Sequence, residues 1–381
     1  MELHTPGHSA YTDTLIMYAL SEAFRDHLEK VEGREYFYTL VIEDLPFDVL
    51  SRMVSGAYQK YEPKLIERFS RLLDEKEIRS LGRELYDVKR LAEYLKELTN
   101  PGHSLGEGRF GRGSTFKLPL MPTAGKYLRT DLTLSEKYDS QKPYKVCRLC
   151  QALAMLGLAL GTLSTRYEGS HIVSTMMFKG REDCLRRKKR KDKGSHIVST
   201  IMFKGEVCGG VVKDLIDDYM QLSTAGSWLR DALGCCSNKL PVRLFGYLTL
   251  TALDDRLIVD LRGSDAKWTA LVTLFEKVRV VQVRGYSTVE LDGILASLAD
   301  LIDIDKKFNT SSRSRLINVC ESLLRVCSVE SLEKLFDSLS TRRLSDVYSF
   351  ARSAYSNLKR EGLSLSASEL VEALARLCTG V

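Results

Sequence analysis

Two near-identical strings constrain what this chain can fold into more than any other feature. Gly169–Gly180 reads GSHIVSTMMFKG and Gly194–Gly205 reads GSHIVSTIMFKG, so eleven of twelve residues repeat at an offset of 25. Within each copy His, Val and Thr alternate with Ile and Ser, the period-two pattern of a strand. Two copies are too few for a solenoid, which needs about three stacked units. Either the copies pair as an antiparallel hairpin, or they record a tandem duplication in which one copy is spare. We favour the duplication, because identity this close reflects little time for divergence. Deleting one copy with the segment between is then expected to leave a folded protein.

That intervening segment also holds the charge. The 381 residues carry 56 Lys+Arg against 50 Asp+Glu, a net charge of +6. Arg181–Lys193 (REDCLRRKKRKDK) contains eight basic and three acidic residues, hence +5, and the rest of the chain sums to +1. At 44% hydrophobic and 28% charged, the composition is globular, neither disordered nor collagenous. The length accommodates two or three domains of about 100–200 residues. Nine cysteines are too sparse for a disulfide scaffold. The start, MELHTPGHSAYTD, has neither a basic leader nor an apolar run, so a reducing cytoplasmic setting is expected. Only five Asn and five Gln occur, against abundant Glu, Lys and Arg, which fits a thermophile. The longest uncharged stretch, Leu149–Thr165 (LCQALAMLGLALGTLST), has 17 residues. A bilayer needs about 20, so the expectation is a buried core helix with no membrane partner. Gly157 and Gly161 within it have the spacing that permits close helix approach.

The remaining pattern predicts an α+β protein: a mixed N-terminal and middle region with a short sheet, followed by an all-α C-terminal helical bundle. Residues 1–100 read as mostly helical, with a helix from Ser9 to about Leu28 and a β-like run at Tyr36–Ile42. Leu15, Ile16, Ala19, Leu20, Ala23 and Phe24 form the apolar stripe of that first helix. Further helical patterns span Pro46–Tyr61 and Pro63–Leu98, and Asn100-Pro101-Gly102 closes the block. Residues 101–250 read as mixed, with a glycine-rich basic loop, a Cys-x-x-Cys helix, the duplicated strand and short helices at Val211–Leu222 and Ser227–Leu233. Pro241–Leu250 is apolar and of either type. Residues 251–381 read as a bundle, with helices at Ser287–Leu301, Arg313–Val326, Val329–Leu339, Arg343–Leu358 and Ser366–Leu377.

Candidate chemistry is sparse. Cys147 and Cys150 have the spacing of half a zinc site. No second pair or His pair follows at suitable distance, so zinc competes with a metal-free cysteine pair at a helix start. His4 and His8 flank Pro6-Gly7 and read as a structural turn, and His171 and His196 as equivalent strand-end residues. Gly125-Lys126 lacks the surroundings of a P-loop, and no metalloprotease, nucleophile-elbow or paired-carboxylate motif is present. Nucleic-acid binding has more support. GHSLGEGRFGRG places Arg109, Arg112 and Phe110 among five glycines, and Lys117, Lys126 and Arg129 follow on a strand-turn unit. Cationic side chains there would neutralise phosphates, and Phe110 or Tyr127 would stack on a base. Arg186, Arg187, Lys188, Lys189, Arg190 and Lys191 add a dense positive patch.

HTPGHSAYTD leading into an apolar helix, GKYLRTD, CRLCQALAMLGLALG and GSHIVSTIMFKG occur in that order. Together they resemble the large subunit of the archaeal subtype I-A (Aeropyrum-type) CRISPR interference complex, over His4 to about Tyr219. The resemblance implies a non-catalytic subunit of a crRNA-guided surveillance complex. Such a subunit helps recognise the protospacer-adjacent motif and bind target DNA, beside backbone and small subunits, while a helicase-nuclease cuts. No cofactor is expected on this reading. The alternative is a zinc-dependent nucleic-acid-processing enzyme using Cys147 and Cys150, and a third is a structural scaffold without nucleic-acid contact.

Overall fold

The computed structural model describes residues 1–34, 37–70, 72–100, 114–115, 145–168, 194–223, 227–229, 232, 240–277, 281–358 and 364–379. The fold is α+β, as the sequence predicts. The chain divides into two units. One comprises Met1–Leu163, Ser199–Gln221 and Arg256–Leu271, and the other Ser164–Val198, Leu222–Asp255 and Val272–Val381.

The first unit is built around one helix, α1 (Ala10–Ala23). Ser9 caps it, its side chain accepting from the Thr12 N–H at 3.1 Å. The apolar stripe seen in the sequence understates its position, because every residue from Tyr11 to Ala23 is buried. Its polar side chains are therefore partnered. Thr14 donates to the Ala10 carbonyl at 2.6 Å, and Glu22 accepts from Tyr61, Lys60 and Arg25. The helix ends earlier than the periodicity predicts, at the Phe24 cap, because the chain turns there into a strand that begins at Leu28.

That strand is β2 (Leu28–Gly33), which pairs antiparallel with β3 (Tyr38–Ile42), and β3 pairs antiparallel with β1 (Glu2–His4). On its other side β2 pairs antiparallel with β7 (Gly194–Cys208), the strand that contains the second repeat copy. β6 (Leu163–Glu168) and β8 (Lys267–Lys277) also pair with β7, and β9 (Val281–Glu290) pairs with β8. The second copy thus forms the predicted strand, while the first lies outside the described residues. Sequence beyond the repeat explains the choice. Val207 is buried opposite Val31, and the residue 25 positions earlier is Glu182. The first copy in this slot would bury a carboxylate there.

Three helices, α2 (Phe47–Phe69), α3 (Glu75–Tyr86) and α4 (Val88–Glu97), replace the two predicted between residues 46 and 98. Pro63 lies inside α2 instead of starting a helix. Tyr58, Tyr61, Leu65 and Phe69 are buried on both sides of it, and this packing outweighs the missing backbone donor. A two-residue ladder then joins β4 (Ser114–Thr115) and β5 (Lys145–Val146). α5 (Arg148–Leu160) follows, and Leu149–Leu160 are all buried against α1 and α2, as the uncharged stretch predicts. A Cβ on Gly157 would stand 1.7 Å from the Leu15 carbonyl oxygen, and one on Gly161 would stand 2.0 Å from the Tyr18 ring. The small-residue spacing is therefore what lets α1 and α5 touch. Arg68 donates to the Ala159 and Thr162 carbonyls at the end of α5. No helix among the described residues is long and apolar enough to cross a membrane.

α6 (Gly209–Leu222) and α8 (Asp255–Gly263) complete the helices of this part of the chain, with α7 (Val242–Thr251) between them in sequence. The apolar run of either type is therefore a helix, started by Pro241. β8 and β9 were not legible as strands, and β9 occupies the residues where the pattern predicts a helix starting at Ser287. In the second unit, α9 (Asp292–Phe308), α10 (Ser312–Arg325), α11 (Val329–Thr341), α12 (Leu344–Leu358) and α13 (Ser364–Thr379) form the expected bundle. α11 packs on α12, α12 on α13, and α10 on α13. Leu298, Leu316, Leu323, Leu332, Phe336 and Phe350 are among its buried side chains. Arg313 is buried as well, and donates to the Thr251 and Leu253 carbonyls beyond the end of α7.

Candidate nucleic-acid interface

The sheet of the first unit ends in a groove. The turn between β2 and β3 closes when the Arg34 N–H donates to the Phe37 carbonyl at 2.9 Å. This places the Arg34 guanidinium 5.7 Å from the centre of the Phe37 ring. Phe37 in turn packs edge-on against His4, with ring centres 5.8 Å apart. Beside this turn runs β7, whose residues alternate: Ile201 and Phe203 are buried, Met202 is half-buried and Lys204 is exposed. Phe203 packs on Tyr38 and Trp268, at 5.2 and 5.1 Å between ring centres. Trp268 donates its indole N–H to the Leu261 carbonyl at 3.0 Å, which ties the start of β8 to α8.

These elements enclose about 250 Å³, lined by Arg34, Phe37, Met202, Lys204, Lys267 and Thr269 among others. The geometry depends on the glycine that closes the repeated string. Gly205 has φ +119°, and a Cβ there would stand 2.7 Å from the Asp265 carbonyl oxygen. Only glycine meets both conditions without strain. Lys204 stands on β7 immediately before this glycine, and Lys267 opens the neighbouring strand β8.

The electrostatics of the groove are cationic. Lys204 and Lys267 are exposed, and neither makes an ion pair among the described residues. Arg34 is shared with Glu32 at 3.0 Å in an exposed pair, which screening leaves weak. His4 adds no charge at neutral pH, because burial lowers its pKa against the opposing pull of Glu2. Two free ammonium groups beside an aromatic ring, with a threonine hydroxyl, can hold a phosphate and stack a base.

Of the sequence-predicted site, only Cys147 and Cys150 belong to the described residues. Arg109, Arg112, Lys117, Lys126 and Arg129 fall outside the described residues, as do Arg186, Arg187, Lys188, Lys189, Arg190 and Lys191. Cys147 and Cys150 are described and buried. Cys147 is the cap residue of α5 and its sulfur accepts from the Cys150 N–H at 3.3 Å. The two sulfurs are 3.0 Å apart, and the Tyr94 hydroxyl lies 3.2 Å from Cys150 Sγ. Burial, and then the hydrogen bond with Cys147, push the Cys150 thiol well up. No cluster of three or more potential metal ligands occurs among the described residues. Cys184, Cys235 and Cys236 lie outside them.

His4 and His8 behave as the turn residues that Pro6-Gly7 predicts. His4 Nδ1 bonds the Thr39 hydroxyl at 3.0 Å, and Asp13 gathers the loop by accepting from the Gly7 and Ser9 N–H groups at 2.6 and 2.9 Å. Sequence reasoning missed the groove residues. Lys204 stands inside the duplicated string and reads only as part of a strand, although both copies end in Phe-Lys-Gly. Arg34, Phe37 and Lys267 carry no signal, since the fold alone brings them together.

A family model described as CRISPR-associated protein (Cas_Csa4) matches residues 48–380. Comparison with curated proteins returned no match.

Proposed function

The chain belongs to the Cas_Csa4 family of CRISPR-associated proteins, and from that premise we propose that it is a non-catalytic, nucleic-acid-binding subunit of an interference complex. The observation that carries the binding role is the placement of Lys204 and Lys267, unpaired among the described residues, beside Phe37 in the groove. Contacts of this kind grip the phosphate backbone and read little sequence. Sequence discrimination then falls to base pairing by the crRNA, with the protein contributing recognition of a short adjacent motif.

On its resemblance to the large subunit, the chain serves in a complex of archaeal subtype I-A. Its partners are crRNA, target DNA, the backbone and small subunits and a helicase-nuclease that performs the cutting. The glycine loop with Arg109 and Arg112 is the second contact in this reading, and the Arg186–Lys191 run assists it.

The test is reconstitution of the complex with and without this chain. Omission is expected to abolish target-DNA capture, and the purified chain with magnesium is expected to leave DNA uncut. A complex that captures target equally well without the chain would overturn the reading. Within it, Arg109→Ala with Arg112→Ala is expected to weaken DNA binding and flatten its salt dependence. An unchanged salt slope would make the glycine loop a linker.

A further inference from the structure

The start of α5 holds two thiols in one place. Cys147 and Cys150 are 3% and 0% exposed, and their sulfurs stand 3.0 Å apart. The backbone puts them there. Cys147 caps the helix in an extended conformation, φ −61° and ψ 150°, and its sulfur lies back over the first turn, where it accepts from the Cys150 N–H at 3.3 Å. The two residues between are fixed as well. Arg148 donates to Glu84 at 2.6 Å and to the Ser80 carbonyl at 3.0 Å, both on α3, and Leu149 is buried. Tyr94 on α4 adds a third anchor, its hydroxyl 3.2 Å from Cys150 Sγ. Among the described residues no third His, Cys, Asp or Glu joins the pair to hold a metal ion.

Thiols arranged in this way need little movement to be joined. A disulfide brings its sulfurs to about 2.05 Å, so closure asks for about 1 Å of travel from where they stand. The freedom lost in bringing the two side chains together is already lost on folding, so a bridge here stabilises the folded chain relative to the unfolded one. Burial then keeps thiol reductants from the sulfurs. The position also matters for the chain as a whole. α4 precedes residues 101–144, and β5 and α5 follow them. A bridge beside Tyr94 therefore fastens the point at which the chain returns to the core.

We propose that Cys147 and Cys150 are a redox-modification site, which closes to an intrachain disulfide in the folded protein with a low-molecular-weight disulfide as oxidant. The Cys147 sulfur, the less buried of the two, attacks one sulfur of that oxidant as thiolate, breaks its S–S bond and releases one small thiol. The Cys150 thiolate then attacks the Cys147 sulfur of the mixed disulfide and displaces the second small thiol. The pair gives up two electrons and two protons, and the two small thiols carry them away. The proposal does not depend on the groove, since none of these residues lines it.

The experiment incubates the full chain with excess glutathione disulfide, alkylates every remaining thiol with iodoacetamide under denaturing conditions, and digests with trypsin. Cleavage after Lys145, Arg148 and Arg166 puts the two cysteines on separate peptides, residues 146–148 and 149–166. The folded wild-type chain is expected to yield these two peptides joined by one disulfide in mass spectrometry. Its melting temperature is expected to rise by a few degrees on oxidation and to fall back with dithiothreitol. Cys147→Ser keeps a capping oxygen and is expected to fold, to give no joined peptide and to show no such rise, which separates this pair from the other cysteines. Two separately alkylated peptides overturn the proposal, as does a glutathione adduct that stops at Cys147. Joined peptides that form only when the chain is oxidised in urea overturn it too, as does a bridged chain that melts below the unbridged one. About one zinc per purified chain would assign the pair to a metal and overturn it equally.

Discussion

Asp13 shows how one residue couples the fold to pH. Burial lifts its pKa to about 6, against hydrogen bonds from Gly7, Thr5, Ser9 and His8 that pull it down. The folded chain therefore holds this proton more tightly than the unfolded chain, where a carboxyl titrates near 4. The stabilising contribution is complete below about 4 and is lost as pH rises through about 6, amounting to roughly 2–3 kcal/mol. Asp13→Asn is expected to remove that component. The difference in urea-unfolding free energy between wild type and variant should change over this window, and a constant difference would contradict the assignment. The cysteine pair gives a second prediction at this scale. With no third His, Cys, Asp or Glu gathered beside this pair among the described residues, the purified chain is expected to carry no stoichiometric zinc. About one zinc per chain, lost on Cys150→Ser, would instead favour the zinc-enzyme alternative. The spacing of Cys147 and Cys150 was legible in the sequence, but their shared burial with Tyr94 was not, because it depends on α4 packing near the start of α5.

Among the elements, α1 and α5 set the core, and their contact rests on a glycine. In Gly157→Ala the new methyl would meet the Leu15 backbone, which cannot move aside without separating the helices. A loss of about 3 kcal/mol or more is expected, at the upper end of overpacking effects. Gly56 in α2 has nothing within 4 Å of the same position, so Gly56→Ala is expected to stabilise by about 0.5–1 kcal/mol. Thermal unfolding of the two variants checks both signs. The repeat supplies a deletion test. Removing residues 169–193 leaves β6 and the whole of β7 in place and is expected to yield a folded chain of near wild-type melting temperature; a large drop would mean that the first copy is structural. The bundle helices α10–α13 fall within about two residues of their predicted limits, because helical periodicity alone decides them. β8 escapes sequence reading because its apolar run, Trp268 to Phe275, is one that periodicity does not separate from a buried helix. β9, by contrast, ends the sheet order and mixes Val281, Val283 and Val289 with Gln282, Arg284 and Glu290.

For the molecule as a whole, a net charge of +6 says little until it is located. Arg181–Lys193 accounts for +5 of it, inside the duplication, and the remainder is almost neutral at +1. A nucleic-acid surface outside that run must come from cations collected by folding. Lys204 and Lys267, 63 positions apart in the sequence, meet in one groove because β7 and β8 are neighbours in the sheet. The duplicated string marks Lys204, but neither it nor net charge identifies the lysine's partner. The most direct test of the groove as a phosphate-binding surface is duplex-DNA affinity measured across salt concentrations, for the full wild-type chain and for Lys204→Ala with Lys267→Ala. Every lysine that neutralises a phosphate steepens the fall of log affinity with log salt by about 0.9. The double variant should therefore show a slope shallower by close to 2 with its melting temperature unchanged, whereas a wild-type slope would contradict a binding role for the groove.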